Sequence, residues 1–219
     1  MDAFDRIKEN TERLLKDIPD DVTLLAAAKT RTPEEVRAAW QAGVRCFGHN
    51  YVQEAQAMLP QLDFNADWHM IGHLQRNKAD LAVGLFDLVE TLDSPRLARA
   101  LDKHCAGQEK VLPVFIEINS GREENKDGAL PEDADALVEL IGELPHLKLQ
   151  GLMTMGPLTG DAELARPYFK TTREIFERIR EENAEVRWLS MGMSHSYRVA
   201  IEEGANLVRI GTALFGPRK

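Results

Sequence analysis

An alternation of short apolar runs with charged helical segments constrains the fold of this chain more than any other feature. Eight apolar runs occur, at residues 22–28, 44–47, 68–71, 86–91, 111–118, 147–153, 186–191 and 206–210. Several of them are continuously apolar, which is typical of strands covered on both faces. Between them lie helical patterns at residues 33–42, 52–59, 77–83, 95–106, 131–142, 162–183 and 194–203. A strand followed by a helix, repeated in this way, predicts a parallel (β/α)8 TIM barrel, with an open doubly wound sheet as the alternative.

Residues that start and stop helices agree with this alternation. Thr32, followed by proline and two glutamates, predicts an N-cap with proline at the first helical position and a capping-box glutamate at Glu35. Ser94 precedes a proline in the same way, while Gly43 and Gly204 stand where a helix should end before the next strand. We therefore expect each apolar run to be a separate strand of one domain spanning residues 1–219.

Composition excludes several classes of protein. The net charge of −9 disfavours general binding to nucleic acid, because an acidic surface repels phosphates. No apolar run approaches the length of about 18 residues that a membrane-spanning helix needs, and the amino-terminal segment lacks the apolar region of a signal peptide. Cys46 and Cys105 show no disulfide or metal spacing, which favours free thiols in a reducing compartment. We expect a soluble, cytoplasmic protein.

Two polar residues stand at the ends of the first two predicted strands, where barrels of this type place their chemistry. Lys29 closes the apolar run that begins the barrel. A lysine there is partly removed from water, which favours the free amine that forms Schiff bases, although a lysine reaching out to solvent would look the same in sequence. Asn50 follows the second run and would either bind a ligand oxygen or cap the next helix.

The last two strand ends predict an anion site. Ser194 follows the seventh strand at the expected start of a helix, and Gly211 and Thr212 follow the eighth. Glycine allows close approach of the backbone, helix N-termini favour anions, and these two loops often bind phosphate in such barrels. Arg209 alternates with two apolar neighbours, so it should face the barrel interior, with a phosphate, a carboxylate, a pyridine nitrogen or an internal salt bridge as partner. We interpret Met193, together with Met153, Met155 and Met191 at other strand ends, as flexible core or pocket lining rather than a metal site.

Two histidines of the third strand region do not predict a metal site. His69 and His73 are four residues apart, but Gly72 and a strand end lie between them, so they do not share a helical face. No carboxylate or cysteine completes a ligand set, so we expect no metal site. His49 has no partner visible in the sequence and receives no role.

Six segments in a fixed order carry a resemblance to a known family. They are LLAAAKT (24–30), FGHNYVQE (47–54), WHMIGHLQRNK (68–78), GLMTM (151–155), LSMGMS (189–194) and VRIGTALFG (208–216). Together they resemble the pyridoxal 5′-phosphate (PLP) homeostasis proteins, whose fold is like the N-terminal barrel of alanine racemase, a fold-type III PLP protein. The resemblance covers nearly the whole chain.

The resemblance implies roles for individual residues. Lys29 matches the lysine that forms the Schiff base with PLP, and Arg209 matches the arginine beside the pyridine nitrogen. Ser194, Gly211 and Thr212 match the phosphate-binding positions.

Further positions carry weaker or no assignments. Asn50 matches an asparagine near the cofactor, and Met193 is counted with the cofactor contacts. Lys126 matches a loop lysine linked to cofactor exchange in some relatives. The sequence departs from the family pattern at His49, where many relatives carry glutamate, and at His195, where acidic residues are common. Neither departure affects the expected PLP contacts.

The expected function is that of a PLP carrier or buffer rather than an enzyme. An arginine at the pyridine nitrogen keeps that nitrogen unprotonated and weakens PLP as an electron sink, although racemases of the same barrel type have that arginine too. Racemisation also needs a second acid or base, which the related racemases take from a C-terminal domain and a partner subunit, and no residues remain here for that domain. We expect a monomer that has apo PLP-dependent enzymes as candidate partners.

Two alternatives stay open at this stage. One is a racemase of low activity that uses Lys29 and a tyrosine such as Tyr51 or Tyr197. The other is an aldolase-like barrel in which Lys29 forms a Schiff base with the substrate and no PLP is bound.

Overall fold

The strands of the barrel coincide with the eight apolar runs. A computed structural model describes residues 3–157 and 160–217. Its strands are β1 (Thr23–Ala27), β2 (Cys46–His49), β3 (Asp67–Met70), β4 (Leu88–Leu92), β5 (Leu112–Ile118), β6 (Leu147–Thr154), β7 (Trp188–Met193) and β8 (Leu207–Ile210). Each strand pairs in parallel with the next, and β8 pairs with β1 to close the barrel. The predicted (β/α)8 barrel is confirmed, and the open doubly wound sheet is wrong.

One helix precedes the first strand, and the others follow the strands in turn on the outside of the barrel. They are α1 (Ala3–Asp17), α2 (Pro33–Gln41), α3 (Val52–Met58), α4 (Ala79–Leu85), α5 (Pro95–Gly107), α6 (Ala134–Gly142), α7 (Arg166–Glu182), α8 (Tyr197–Glu202) and α9 (Thr212–Phe215). Short 3₁₀ turns occur at Leu59–Gln61, Arg76–Lys78, Pro131–Asp133 and Ala162–Ala165. None of the helices in the described part of the chain is long and apolar enough to cross a lipid bilayer.

Local signals set most of the helix ends. The Thr32 hydroxyl accepts a hydrogen bond from the Glu35 amide while the Glu35 carboxylate accepts one from the Thr32 amide, which completes the predicted capping box. Ser94 caps α5 through the Leu97 amide. Gly43 and Gly204 have φ angles of +115° and +91°, the left-handed region that lets a helix end and the chain turn into the next strand.

The prediction for the loop after β7 needs a correction. We expected a helix to start at Ser194, but α8 begins at Tyr197. The chain first makes a tight turn, in which the Ser196 hydroxyl accepts a hydrogen bond from the Met193 amide and the Ser196 amide donates to the Met193 carbonyl. This turn leaves the side chain of Ser194 free to point at the loop after β8.

Strand alternation divides the core into two apolar layers. The larger layer lies between sheet and helices and includes Phe47, Val208 and Ile210. A smaller layer fills the barrel, with members that include Leu25 and Phe115. The barrel interior also holds polar and charged side chains, among them Glu90, Ser190 and Arg209.

Candidate functional site

A cavity of about 230 Å³ opens at the carboxyl-terminal mouth of the barrel. All seven residues that the sequence singled out for a ligand lie in its wall, although contact of each with a ligand stays a prediction. The lining residues are Ala27, Lys29, Arg31, Asn50, Ile71, Met155, Met193, Ser194, His195, Arg209, Gly211 and Thr212. Residues far apart in the chain meet here because the strand ends of a closed barrel form one ring.

Lys29 is placed by the abrupt end of β1. It is half-buried, and the next residue, Thr30, has a φ of +61°, an uncommon conformation for a residue with a side chain. The Thr30 amide donates to a carboxylate oxygen of Glu54 at 3.3 Å, which helps to hold this turn. The Lys29 ammonium lies 4.9 Å from the centre of the Tyr51 ring. The amine therefore stands at the rim of the cavity against an aromatic face, within reach of a ligand.

Ser194 joins the two loops in which the sequence predicts an anion site. Its hydroxyl oxygen accepts hydrogen bonds from the amides of Gly211 at 3.2 Å and Ala213 at 3.1 Å. Two backbone donors from the loop after β8 thus converge on one oxygen beside the cavity. An anionic ligand could use the same donors, because backbone amides that point at one position form a ready anion site.

Arg209 crosses from the cavity wall into the barrel interior. Only 4% of its surface is exposed. Its guanidinium donates to the Ser190 hydroxyl at 2.5 Å and to the Thr154 carbonyl at 2.8 Å, and it lies 3.9 Å from a carboxylate oxygen of Glu90. Burial lowers the pKa of Arg209, and the charge of Glu90 opposes that shift. Arg209 therefore has internal partners and also presents a charged donor group to the cavity.

The partners of Arg209 belong to a polar chain that extends toward the other end of the barrel. Ser190 donates to Glu90 at 2.6 Å, Glu90 lies 2.7 Å from Nδ1 of His69, and Nε2 of His69 is 3.6 Å from the Cys46 sulfur. Burial by itself would lower the pKa of His69, but Cys46 and the Glu90 carboxylate outweigh it and raise that pKa to about 10. Glu90 therefore contacts His69 through one carboxylate oxygen and Ser190 and Arg209 through the other.

The sequence motifs did not reveal this chain of polar side chains, although a signal was present. Glu90, His69 and Ser190 each interrupt an otherwise apolar strand, and a charged residue in a buried strand needs a partner. The end of this chain that is formed by His69 and Cys46 lies in the wall of a second cavity, of about 340 Å³, at the amino-terminal mouth of the barrel.

Glu117 of β5 is a further buried acid near Arg209. It is 3% exposed, and no hydrogen bond to its carboxyl group is present among the described residues. Burial raises the pKa of Glu117 to about 8; Arg209 opposes the shift, whereas Asp127 and Asp93 add to it. At neutral pH this carboxyl group is mostly protonated.

Asn50 is positioned by a close contact of two loops. A side chain at Gly72 would place its Cβ 2.3 Å from the Asn50 carbonyl oxygen and 2.7 Å from the Asn50 Cα. Only glycine allows this approach. Asn50 is not the N-cap of α3, since that position is held by Tyr51, so the capping role that the sequence left open is absent.

The remaining candidates are dispersed. His195 lies exposed in the cavity wall. His49 does not line the cavity; it is fully buried, and neither ring nitrogen has a hydrogen-bond partner among the described residues. Lys126 donates to Glu123 at 2.5 Å and lies outside the cavity wall. Of the two candidate tyrosines, Tyr51 adjoins Lys29, whereas Tyr197 donates to Asp17 at 2.6 Å and is not part of the cavity.

Comparisons with known proteins agree with the sequence motifs and the barrel. The profile of the alanine racemase N-terminal domain family matches residues 3–219. The pyridoxal phosphate homeostasis protein of Aquifex aeolicus is 41% identical over 227 residues, with the whole of both chains covered. The chain belongs to the pyridoxal phosphate homeostasis protein family. The resemblance found in the sequence is thereby confirmed.

Solved structures of other proteins have the same fold as this chain. PipY of Synechococcus elongatus PCC7942, in a structure with PLP bound, superposes with a TM-score of 0.86 at 33% identity, covering 96% of this chain and 100% of that one. An alanine racemase of Clostridium difficile superposes with a TM-score of 0.80 at 16% identity, covering 96% of this chain and 55% of the racemase. The racemase comparison shows the shared barrel fold alone.

Proposed function

We propose that this protein binds PLP through a Schiff base on Lys29 and serves as a PLP carrier or buffer in vitamin B6 and amino-acid homeostasis, without robust catalysis of its own. The observation that carries the proposal is that one cavity of about 230 Å³ is lined by an amine, a buried guanidinium and a serine hydroxyl on which two backbone amides converge. The names of the relatives and the PLP-bound structure of PipY support the same cofactor.

The residues of the cavity fit the three reactive parts of PLP. When bound, PLP supplies an aldehyde that condenses with a primary amine, and Lys29 is the amine in the cavity wall. The amides of Gly211 and Ala213, which now meet on the Ser194 hydroxyl, can hold the phosphate. Arg209 is a charged donor with no acceptor atom, so beside the ring nitrogen it donates a hydrogen bond and leaves that nitrogen unprotonated.

The surroundings of the cavity favour binding over turnover. Arg209 is held by Ser190, Thr154 and Glu90, so its charge persists and the ring remains a weak electron sink. A racemase needs two acid–base groups on opposite faces of the substrate carbon. Tyr197 is engaged with Asp17 outside the cavity, so it does not provide the second group.

The attachment can be tested by borohydride reduction after addition of PLP, followed by peptide mass mapping. We expect visible absorbance that stays with the protein after free PLP is removed by gel filtration, and a reduced adduct on the peptide that contains Lys29. Lys29→Ala should abolish both. Lys148→Ala is the matched control, because Lys148 pairs with Glu185 at 2.7 Å on an exposed surface and should leave both signals intact. A protein that is colourless after free PLP has been removed would refute PLP binding and favour the aldolase-like alternative. A reduced adduct on another peptide would refute the assignment to Lys29.

The role of Arg209 can be tested through the rate at which PLP leaves. Arg209→Ala should increase the PLP dissociation rate more than His49→Ala, because Arg209 lines the cavity and His49 does not. Arg209→Lys keeps the charge and should give a PLP dissociation rate between those of the parent protein and Arg209→Ala. It replaces the alanine variant in the test if that variant folds poorly. Equal rates for the Arg209 and His49 variants would count against the proposed pocket.

A low-activity racemase is the second candidate, and the position of Tyr51 favours it over other enzymes. Its ring centre is 4.9 Å from the Lys29 ammonium, so a second acid–base group is available beside the amine. The PLP-loaded protein in deuterated water distinguishes the candidates. Exchange of the α-proton of alanine above that of Lys29→Ala would support the racemase, and none is expected for a carrier.

The proposed carrier role includes delivery of PLP to apo PLP-dependent enzymes. A carrier should activate an apo PLP-dependent enzyme faster than its own spontaneous release of PLP allows. Activation limited by the release rate would restrict the role to buffering.

A further inference from the structure

Three loops at the carboxyl-terminal mouth bring together an imidazole and two carboxylates. His73 lies in the loop after β3, Asp93 follows β4 directly, and Asp127 lies in the loop after β5. Nδ1 of His73 is 3.0 Å from a carboxylate oxygen of Asp127 and 3.7 Å from one of Asp93. One ligand atom from each of the three residues lies within 4.8 Å of the other two.

The composition of this cluster differs from that of ordinary histidine–aspartate pairs on the same protein. His104 pairs with Asp80 and His146 with Asp102, each at 3.2 Å and each with a single carboxylate. His73 faces two carboxylates. Even with His73 protonated, the cluster keeps a net negative charge, and the Asp93 side chain, 17% exposed, has little water to screen it.

The space around the cluster suits a bound ion with water in its coordination sphere. The cluster lies in an open depression of about 430 Å³, whose wall also includes Arg76 and Arg96. Three protein ligands leave positions for water. One imidazole nitrogen with two carboxylate oxygens is a donor set for zinc and related transition metals, whereas calcium and magnesium prefer oxygen alone. The three side chains would need to close by about 1 Å to meet an ion at about 2.1 Å.

We infer that His73, Asp93 and Asp127 form a binding site for a divalent transition metal of the zinc class, which ties the loop at residues 119–130 to the rim of the barrel. Asp127 belongs to this loop, and Asn119 already organises it through hydrogen bonds to the carbonyls of Glu123 and Lys126. A bound ion would add a link from the loop to His73 and Asp93. The inference is independent of PLP binding.

Zinc titration of the full-length protein against a chromogenic chelator tests the site. We expect one equivalent of Zn²⁺ to bind, and His73→Gln and Asp127→Asn to weaken binding by at least about tenfold. Asp93→Asn is a further variant in case one of these folds poorly. His104→Gln is the matched control, because its pair has one carboxylate, and it should bind like the parent protein. No binding by the parent, or equal binding by all variants, would overturn the inference.

Two further readouts locate the ion. Cobalt substitution should give weak d–d bands without thiolate charge transfer, and a thiolate band would place the ion at a cysteine and refute the site. Hydrogen exchange at residues 119–130 should slow on zinc addition in the parent protein and stay unchanged in Asp127→Asn. Slowing in both proteins would likewise refute it.

Discussion

Replacement of His49 by leucine should stabilise the protein and flatten part of its pH dependence. His49 is fully buried on β2, and alternation places it on the same face as Phe47, toward the helices. Its ring lies 5.8 Å from the Trp68 ring, and neither nitrogen is hydrogen-bonded among the described residues. Leaving a buried polar group unpaired costs about 1–3 kcal/mol. Leucine, of similar size, removes that cost.

The magnitude of the pH effect follows from the shifted pKa. Burial lowers the pKa of His49 from 6.5 to about 4. The unfolded chain therefore takes up a proton below about pH 6.5 that the folded protein refuses until about pH 4. The free energy of unfolding is therefore unaffected by this ring above the pKa of 6.5 in the unfolded chain, and it decreases as the pH falls from there toward about 4. At 1.36 kcal/mol per pKa unit, the loss between about pH 7.5 and pH 5 is about 2 kcal/mol.

Urea unfolding followed by circular dichroism at the two pH values measures this difference. The gain in unfolding free energy of His49→Leu over the parent should be about 2 kcal/mol larger at about pH 5 than at pH 7.5. His104→Gln, which alters a histidine with a partly exposed side chain, is the control and should show no such increase. Parallel pH profiles for the parent and His49→Leu would refute the reasoning.

Two further predictions concern the cavity and its neighbourhood. Gly72→Ala forces a Cβ against the Asn50 backbone, so it should lower the free energy of unfolding by about 1–3 kcal/mol and speed PLP release. Gly107→Ala is the control, because no atom lies within 4 Å of its new Cβ, and it should change neither property. Thermal unfolding and PLP-release assays measure the two effects. Burial raises the pKa of Glu117 from 4.5 to about 8. The protonated carboxyl group therefore contributes its full share of stability below a pH of about 4.5, and this share is lost as the pH rises to about 8. Glu117→Gln should therefore gain stability over the parent between pH 5 and 9 in urea unfolding, and a constant difference would contradict the shift.

Much of the site could be predicted from sequence because strand ends are local features. Lys29 and Arg209 were expected at the mouth on the basis of apolar runs and the in–out alternation of strands, and both line the cavity. The role expected for Ser194 was less complete. We expected it at the start of a helix, but its hydroxyl bridges to the loop after β8, because the chain turns once more before α8 begins.

The polar interior could not be predicted, because it depends on which strands lie beside or across from each other. Glu90 and Ser190 are 100 residues apart in the chain, yet they share a hydrogen bond of 2.6 Å across the barrel. Alternation predicts that a residue points inward, but its height along the axis depends on strand register. The register shifts between Val89 and Leu92 and again between Ser190 and Met193, and no local pattern signals either shift.

The order of strands and helices, the caps that separate them and the family can be read from the chain, because each depends on neighbouring residues or short motifs. Only folding shows that Glu90 contacts both His69 and Arg209, and that His73 lies beside Asp93 and Asp127. The physical reason is barrel closure. It fixes the distances between strands that are remote in the chain. Charged side chains inside the barrel or at its mouth therefore pair with the residues that the neighbouring and opposite strands place within reach.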